Sequence, residues 1–122
     1  MTNTDTTTPQ QVVETYFDAW LGHDFDRLRS ILADDVSFVG SMGVVDGGDE
    51  CASSMAKLAE ILTDIDVQHR WVDGTDVITW FDMHTKIAPP TPVANWSRVE
   101  DGRITRIRVT FDPRGMLGPP DS

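Results

Sequence analysis

The stretch from Thr91 to Asp112 constrains the fold more than any other, because it reads as two long strands joined by a tight turn. The first strand is Thr91 to Val99, the turn Glu100-Asp101-Gly102, and the second strand Arg103 to Asp112. In the second strand Ile107, Val109 and Phe111 alternate with Arg106, Arg108 and Thr110, the period-two pattern of a sheet with one apolar face. That face needs a cover. A three-residue loop in which only Gly102 is left-handed pairs Val99 with Arg103, so that Asn95 lies opposite Ile107 and Val93 opposite Val109. Asn95 then shares the apolar face, while Trp96 and Arg98 share the other with Arg106 and Arg108. A two-residue Asp101-Gly102 turn would slip the register by one and reverse both assignments. The first register is the one expected.

The cover is supplied upstream. Thr8-Pro9-Gln10-Gln11 reads as a helix start, with Thr8 as N-cap, Pro9 in the first position and Gln11 closing a capping box. The helix it opens spaces Val12 or Val13, Tyr16, Phe17, Trp20 and Leu21 on one wide apolar face and ends at Gly22. Asp24 caps a second helix whose Phe25, Leu28, Ile31 and Leu32 face inward, followed by a strand from Val36 to Gly40. Ser41 to Gly48, with three glycines, reads as a flexible loop, and from about Asp49 a third helix buries Cys51, Met55, Leu58, Ile61 and Leu62. Strands at Val67–Val72 and Val77–Lys86, joined by Asp73-Gly74, precede Pro89-Pro90 and the hairpin. The order, three helices with one early strand and then four antiparallel strands, is α+β: a curved sheet wrapped on helices.

A chain of 122 residues is one domain, with residues 1–8 and 118–122 expected to be loose and 9–117 folded. A net charge of -10 with a pI near 4.4 argues against nucleic acid or an anionic membrane surface as partner. The single Cys51 excludes an intramolecular disulfide and fits a reducing compartment. The N-terminus has neither basic residues nor an apolar run, so a cytoplasmic protein is expected.

Tyr16-Phe17-Asp18-Ala19-Trp20, the stretch His23 to Val36, and Val99 to Ile104 with the closing Phe111-Asp112-Pro113 carry a resemblance to a known group. The chain resembles the nuclear transport factor 2-like superfamily, and within it the SnoaL-like polyketide cyclases, limonene-type epoxide hydrolases and ketosteroid isomerases. The resemblance implies a cone-shaped barrel with a pocket between the sheet's concave face and the helices, frequently dimerised through the sheet's other face. Its motifs are caps, turns and strand ends, so they speak to fold and hardly to reaction. The epoxide hydrolase pattern would fall on Phe38 and Gly40, Trp80 and Asp82, and Val109, where only Asp82 matches; that activity is not expected. The cyclase acid/base position also falls on Val109, and the isomerase positions fall on Tyr16, Gly40 and Asn95, without a base.

Asp82 is the expected catalytic residue, a carboxylate sharing a strand face with Ile78, Trp80 and His84, and His84 is expected to assist it. The competing reading puts Asp82 at a hydrated rim, paired with an arginine. Tyr16 and Asn95 are expected to donate hydrogen bonds to a developing oxyanion, with Trp20, Phe38, Trp80, Ile107, Val109 and Phe111 walling an apolar pocket. His69 adds a third imidazole or carboxylate neighbour, but without ligand spacing for a metal; no metal or cofactor is expected. The substrate class is a small apolar or aromatic molecule of polyketide or steroid type, undergoing isomerisation, cyclisation or dehydration. The alternative is a noncatalytic binding or accessory dimer. A homodimer through the sheet face bearing Trp96 is expected, since that face also carries Arg98, Arg106 and Arg108.

Overall fold

The computed structural model describes residues 8–41 and 43–114. Of the ends expected to be loose, residues 1–7 and 118–122 lie outside them, as do 115–117 of the span expected to be folded, whereas Thr8 is described as the cap of the first helix. Three helices, α1 (Pro9–Leu21), α2 (Phe25–Ser30) and α3 (Gly48–Ala59), are combined with six strands. These are β1 (Leu32–Gly40), β2 (Gly43–Asp46), β3 (Leu62–Asp73), β4 (Asp76–Thr85), β5 (Thr91–Glu100) and β6 (Arg103–Thr110). They form one sheet in the order β2-β1-β6-β5-β4-β3, with β1 and β6 parallel and all other neighbours antiparallel. The expected α+β architecture is present, as a curved sheet that is not closed into a barrel. Among the described residues no helix is long and apolar enough to cross a membrane.

Helix α1 starts as its residues dictate: Thr8 Oγ1 accepts from the Gln11 amide and Gln11 Oε1 accepts from the Thr8 amide. Its apolar side, Val12, Val13, Tyr16, Phe17, Ala19 and Trp20, is buried against the inner face of the sheet. Burial of five large side chains there is worth about 2 kcal/mol each, which fixes the helix against the sheet far more firmly than its cap does. Arg29 ties α2 to the start of α3. Its guanidinium donates to Asp34, Asp49 and the Leu32 carbonyl, and Gly48 leaves it room, because a Cβ there would lie 2.5 Å from Arg29 Cζ.

Three boundaries differ from those expected. Ser41 to Gly48 is not all loop: Val44 and Val45 pair with Val39 and Phe38, so Gly43–Asp46 is an edge strand. Strand β1 starts at Leu32, earlier than Val36, because Leu32 already pairs with Ile104. Helix α3 ends at Ala59, and Leu62, expected on the helix, opens β3.

The hairpin turn also differs. Glu100 pairs with Arg103 across the two residues Asp101 and Gly102, both with positive φ (54° and 78°), so Asp101 adopts the left-handed conformation reserved in the expectation for Gly102. That turn alone would have turned Asn95 outward. A register shift between Arg98 and Val99 corrects the parity: Val99 pairs with Ile104 but Arg98 with Arg106, leaving Thr105 as the extra residue of a β-bulge. Asn95 therefore faces inward as expected, opposite Val109 and not Ile107. The bulge explains why Ile104 and Ile107, three apart, are both fully buried.

Candidate functional site

Residues of one parity from each strand form the inner face. In β4 these are Val77, Thr79, Phe81 and Met83, and in β5 Val93, Asn95, Ser97 and Val99, all buried. Phe17 of α1 meets Phe81 edge-on with ring centroids 5.1 Å apart, which fills the middle of the cone. The open space lies to one side. A cleft of about 480 Å³ runs between α3 and the β1–β2 hairpin, and Phe38, Val45, Met55, Leu58, Val109 and Phe111 form most of its wall. Ser41, Ser54, Cys51 and Lys57 supply its polar side-chain atoms, and Ile87 stands at its rim. This volume is within the range of small-molecule sites.

Of the residues expected to wall a pocket, Phe38, Val109 and Phe111 line this cleft; Gly40, where the resemblance would place an isomerase's base, lines it too. Ile107 is wholly inside the core. Trp20 is also core, where its Nε1 donates to the Met55 carbonyl at 2.9 Å and anchors α3 to α1. Sequence reasoning missed Ser54, Lys57 and Ile87. Met55, Leu58 and Ile61 were recognised only as buried helix residues. The signal for the cleft was legible in part, since Cys51, Ser54, Met55 and Leu58 share one helix face that mixes small polar with apolar groups.

Tyr16 and Asn95 do meet. Asn95 Nδ2 donates to the Tyr16 hydroxyl at 3.4 Å, and Ser97 Oγ donates to Asn95 Oδ1 at 2.7 Å, all three residues being buried. Burial pushes the Tyr16 hydroxyl far above its ordinary value, the neighbouring Cys51 adds to this, and the bond from Asn95 opposes it. Burial likewise pushes the Cys51 thiol up to about 11, against a smaller pull from Arg29. Both groups are held in their protonated forms. Farther along the inner face, Arg70 donates from Nε to Thr79 Oγ1 at 2.9 Å, lies over the Phe17 ring and approaches Glu14 at 3.7 Å.

Asp82 and His84 are not part of this site. Because Val77, Thr79, Phe81 and Met83 point inward, Ile78, Trp80, Asp82 and His84 necessarily point to the outer face. The expectation had grouped these four correctly but assigned them to the wrong side. Asp82 is half-buried and lies beside Asp66 and Pro92 on the flanking strands, with no ion pair to an arginine among the described residues. Trp80 is 41% exposed there and does not wall the cleft. His69 pairs with Trp80 across the strands and stacks on Trp71 with centroids 5.5 Å apart. Among the described residues no group of three His, Cys, Asp or Glu side chains converges as a metal site.

A helix-covered, strongly curved six-stranded sheet with an apolar cleft at one end defines an NTF2-like domain. The chain belongs to the SnoaL-like domain family within that class, its family model matching residues 13–107. A protein of Kribbella flavida of known structure is 29% identical over 93% of each chain, with a TM-score of 0.84. An NTF2-like protein from Cytophaga hutchinsonii is 23% identical over 97% of this chain and 100% of its own, with a TM-score of 0.83. An LEH-like epoxide hydrolase from M. tuberculosis is 24% identical over 93% of this chain and 90% of its own, with a TM-score of 0.77. These last two likenesses concern the fold alone. No curated protein matches the chain in sequence.

Proposed function

We propose that this SnoaL-like domain binds a small, largely apolar molecule in the cleft between α3 and the β1–β2 hairpin, acting as a binding protein without acid/base turnover of its own. The supporting observation is the lining: aromatic and aliphatic walls, with no Asp, Glu or His among its described residues. Isomerisation or cyclisation by proton transfer needs a base within hydrogen-bond reach of the reacting carbon. Asp82 and His84 are separated from the cleft by the thickness of the sheet, and the positions where related enzymes keep polar groups carry Phe38, Gly40 and Val109. Tyr16 and Asn95 resemble the donor pair of an isomerase, but Asn95 donates to the Tyr16 hydroxyl and accepts from Ser97, and neither Tyr16 nor Asn95 lines the cleft.

The neutral fluorescent probe N-phenyl-1-naphthylamine tests this reading. Saturable binding is expected; Leu58→Trp, which fills the cleft, should weaken it about tenfold or more, while Asp82→Asn should leave it unchanged within about twofold. A loss of binding in Asp82→Asn with Leu58→Trp unaffected would contradict the assignment.

The same reading includes a homodimer. Trp71, Ile78, Trp80 and Trp96 are 38–54% exposed on the outer face, and a groove of about 440 Å³ runs past Val39, Ile78, Trp96 and Thr110. The arginines expected to make this face basic are largely engaged within the chain. Arg98 pairs with Asp76 at 3.0 Å, Arg106 lies over the Trp96 ring, and Arg108 donates to the Ser37 carbonyl. Asp76 also accepts from Trp96 Nε1 at 3.1 Å, which holds the indole in place before any partner arrives. A second copy, meeting the patch isologously, is the simplest cover for a preset aromatic surface. Light scattering at micromolar concentration should give twice the chain mass of 13.6 kDa, falling to 13.6 kDa in Trp96→Ala. A wild-type monomer would refute this part of the proposal.

A further inference from the structure

We infer, resting on the cleft as a ligand site, that its ligand is an amphipathic monocarboxylate whose carboxylate is held at the mouth by Lys57 while its apolar body fills the space beyond. Lys57 is the single charged side chain among the described residues lining the cleft. It is exposed, and no carboxylate of the described residues pairs with it. Among the described residues Arg29, Arg70, Arg98 and Arg114 have acidic partners; Lys57 is one of six basic side chains without one, and of those six it is the one that lines the cleft. Ser54, three residues earlier on α3, lines the cleft too, and its hydroxyl makes no hydrogen bond among the described residues. Residues three apart on a helix are neighbours, so a carboxylate at the mouth can accept from the ammonium and from the hydroxyl together.

A lysine in the last turn of α3 also complements the helix dipole. That role explains a lysine at this end of the helix, and it is indifferent to what occupies the cleft. One ammonium balances one negative charge, and a dianion such as a phosphate monoester would bring an uncompensated charge to a chain of net charge -10. The walls beyond Lys57, chiefly Phe38, Met55, Leu58 and Phe111, offer a carboxylate no second partner, so the charge stays at the rim.

Displacement of N-phenyl-1-naphthylamine by decanoate and by decan-1-ol separates the two contributions. In wild type both compete; in Lys57→Gln the affinity for decanoate should fall about fivefold, the range of one solvent-accessible ion pair, with decan-1-ol unchanged. Lys57→Arg should retain decanoate binding, and Arg27→Gln, which removes an equal charge from the exposed side of α2, should leave both ligands unaffected. An unchanged decanoate-to-decanol ratio in Lys57→Gln, or an equal drop in Arg27→Gln, overturns the inference while the cleft stands as an apolar site. Failure of the naphthylamine probe to bind wild type, or its indifference to Leu58→Trp, removes the cleft reading itself and the inference with it.

Discussion

Replacing Asn95 by leucine is expected to lower stability by about 3 kcal/mol, although the two side chains are alike in size. Asn95 is 2% exposed, and its amide is the link between the Tyr16 hydroxyl on α1 and the Ser97 hydroxyl on its own strand. Leucine accepts from neither and donates to neither. Ser97 would keep a buried hydroxyl whose acceptor is gone, and Tyr16 would lose the one donor that faces it. Each such stranded group costs about 1–3 kcal/mol, whereas the added apolar surface returns less because the site is already dry. For a domain of this size the melting temperature should fall by roughly 10 °C. Asn95→Asp gives a second handle on the same site. A carboxylate buried there has its pKa raised, so its folded state is least penalised below the unfolded value and becomes unstable as pH rises. The variant should therefore be closer to wild type at pH 4 than at pH 7. A melting temperature within 2 °C of wild type for the leucine variant, taken as about half a kcal/mol, would mean that the chain of hydrogen bonds contributes nothing net.

The second large effect is alkaline. Cys51 is raised from 9.0 to about 11 and Tyr16 is raised above its ordinary 10.0, both chiefly by burial. A group whose folded pKa is raised contributes its full stability below the unfolded pKa and loses it as pH climbs toward the folded one. Cys51 thus begins to weaken the fold above pH 9, by about 1.4 kcal/mol per pH unit, and Tyr16 adds a similar slope above pH 10. Urea unfolding between pH 8 and 10.5 should show stability falling with an increasing slope, and Tyr16→Phe should remove the added slope above pH 10. A flat profile to pH 10.5 would contradict the burial of both groups. The same protonation makes Cys51 a poor nucleophile, so thiol reagents at pH 8 should modify it only after unfolding.

Much of the architecture was legible in the residues because it rests on local rules. The Thr8 capping box, the apolar face of α1, the Asp24 cap and the alternation along β4 to β6 each follow from contacts within a few residues. The β1–β2 hairpin was less legible. Ser41 to Gly48 holds three glycines, and only its pairing with Val39 and Phe38 makes a strand of Gly43–Asp46. The relation between β5 and β6 shows the limit most clearly. Asn95 faces inward through two departures from the expected hairpin, a two-residue turn with Asp101 left-handed and a bulge at Thr105, whose effects on parity cancel.

What the sequence determined by itself was which residues of each strand travel together: Ile78 with Trp80, Asp82 and His84, and Val77 with Thr79, Phe81 and Met83. Which of the two sets meets the helices was decided by the tertiary structure. Both sets contain large apolar side chains, so periodicity cannot rank them; the packing of Phe17 against Phe81 does. The cleft has the same origin. Its walls come from α3, the β1–β2 hairpin and the end of β6, segments far apart in the chain, and the space they enclose exists only where the curved sheet leaves α3.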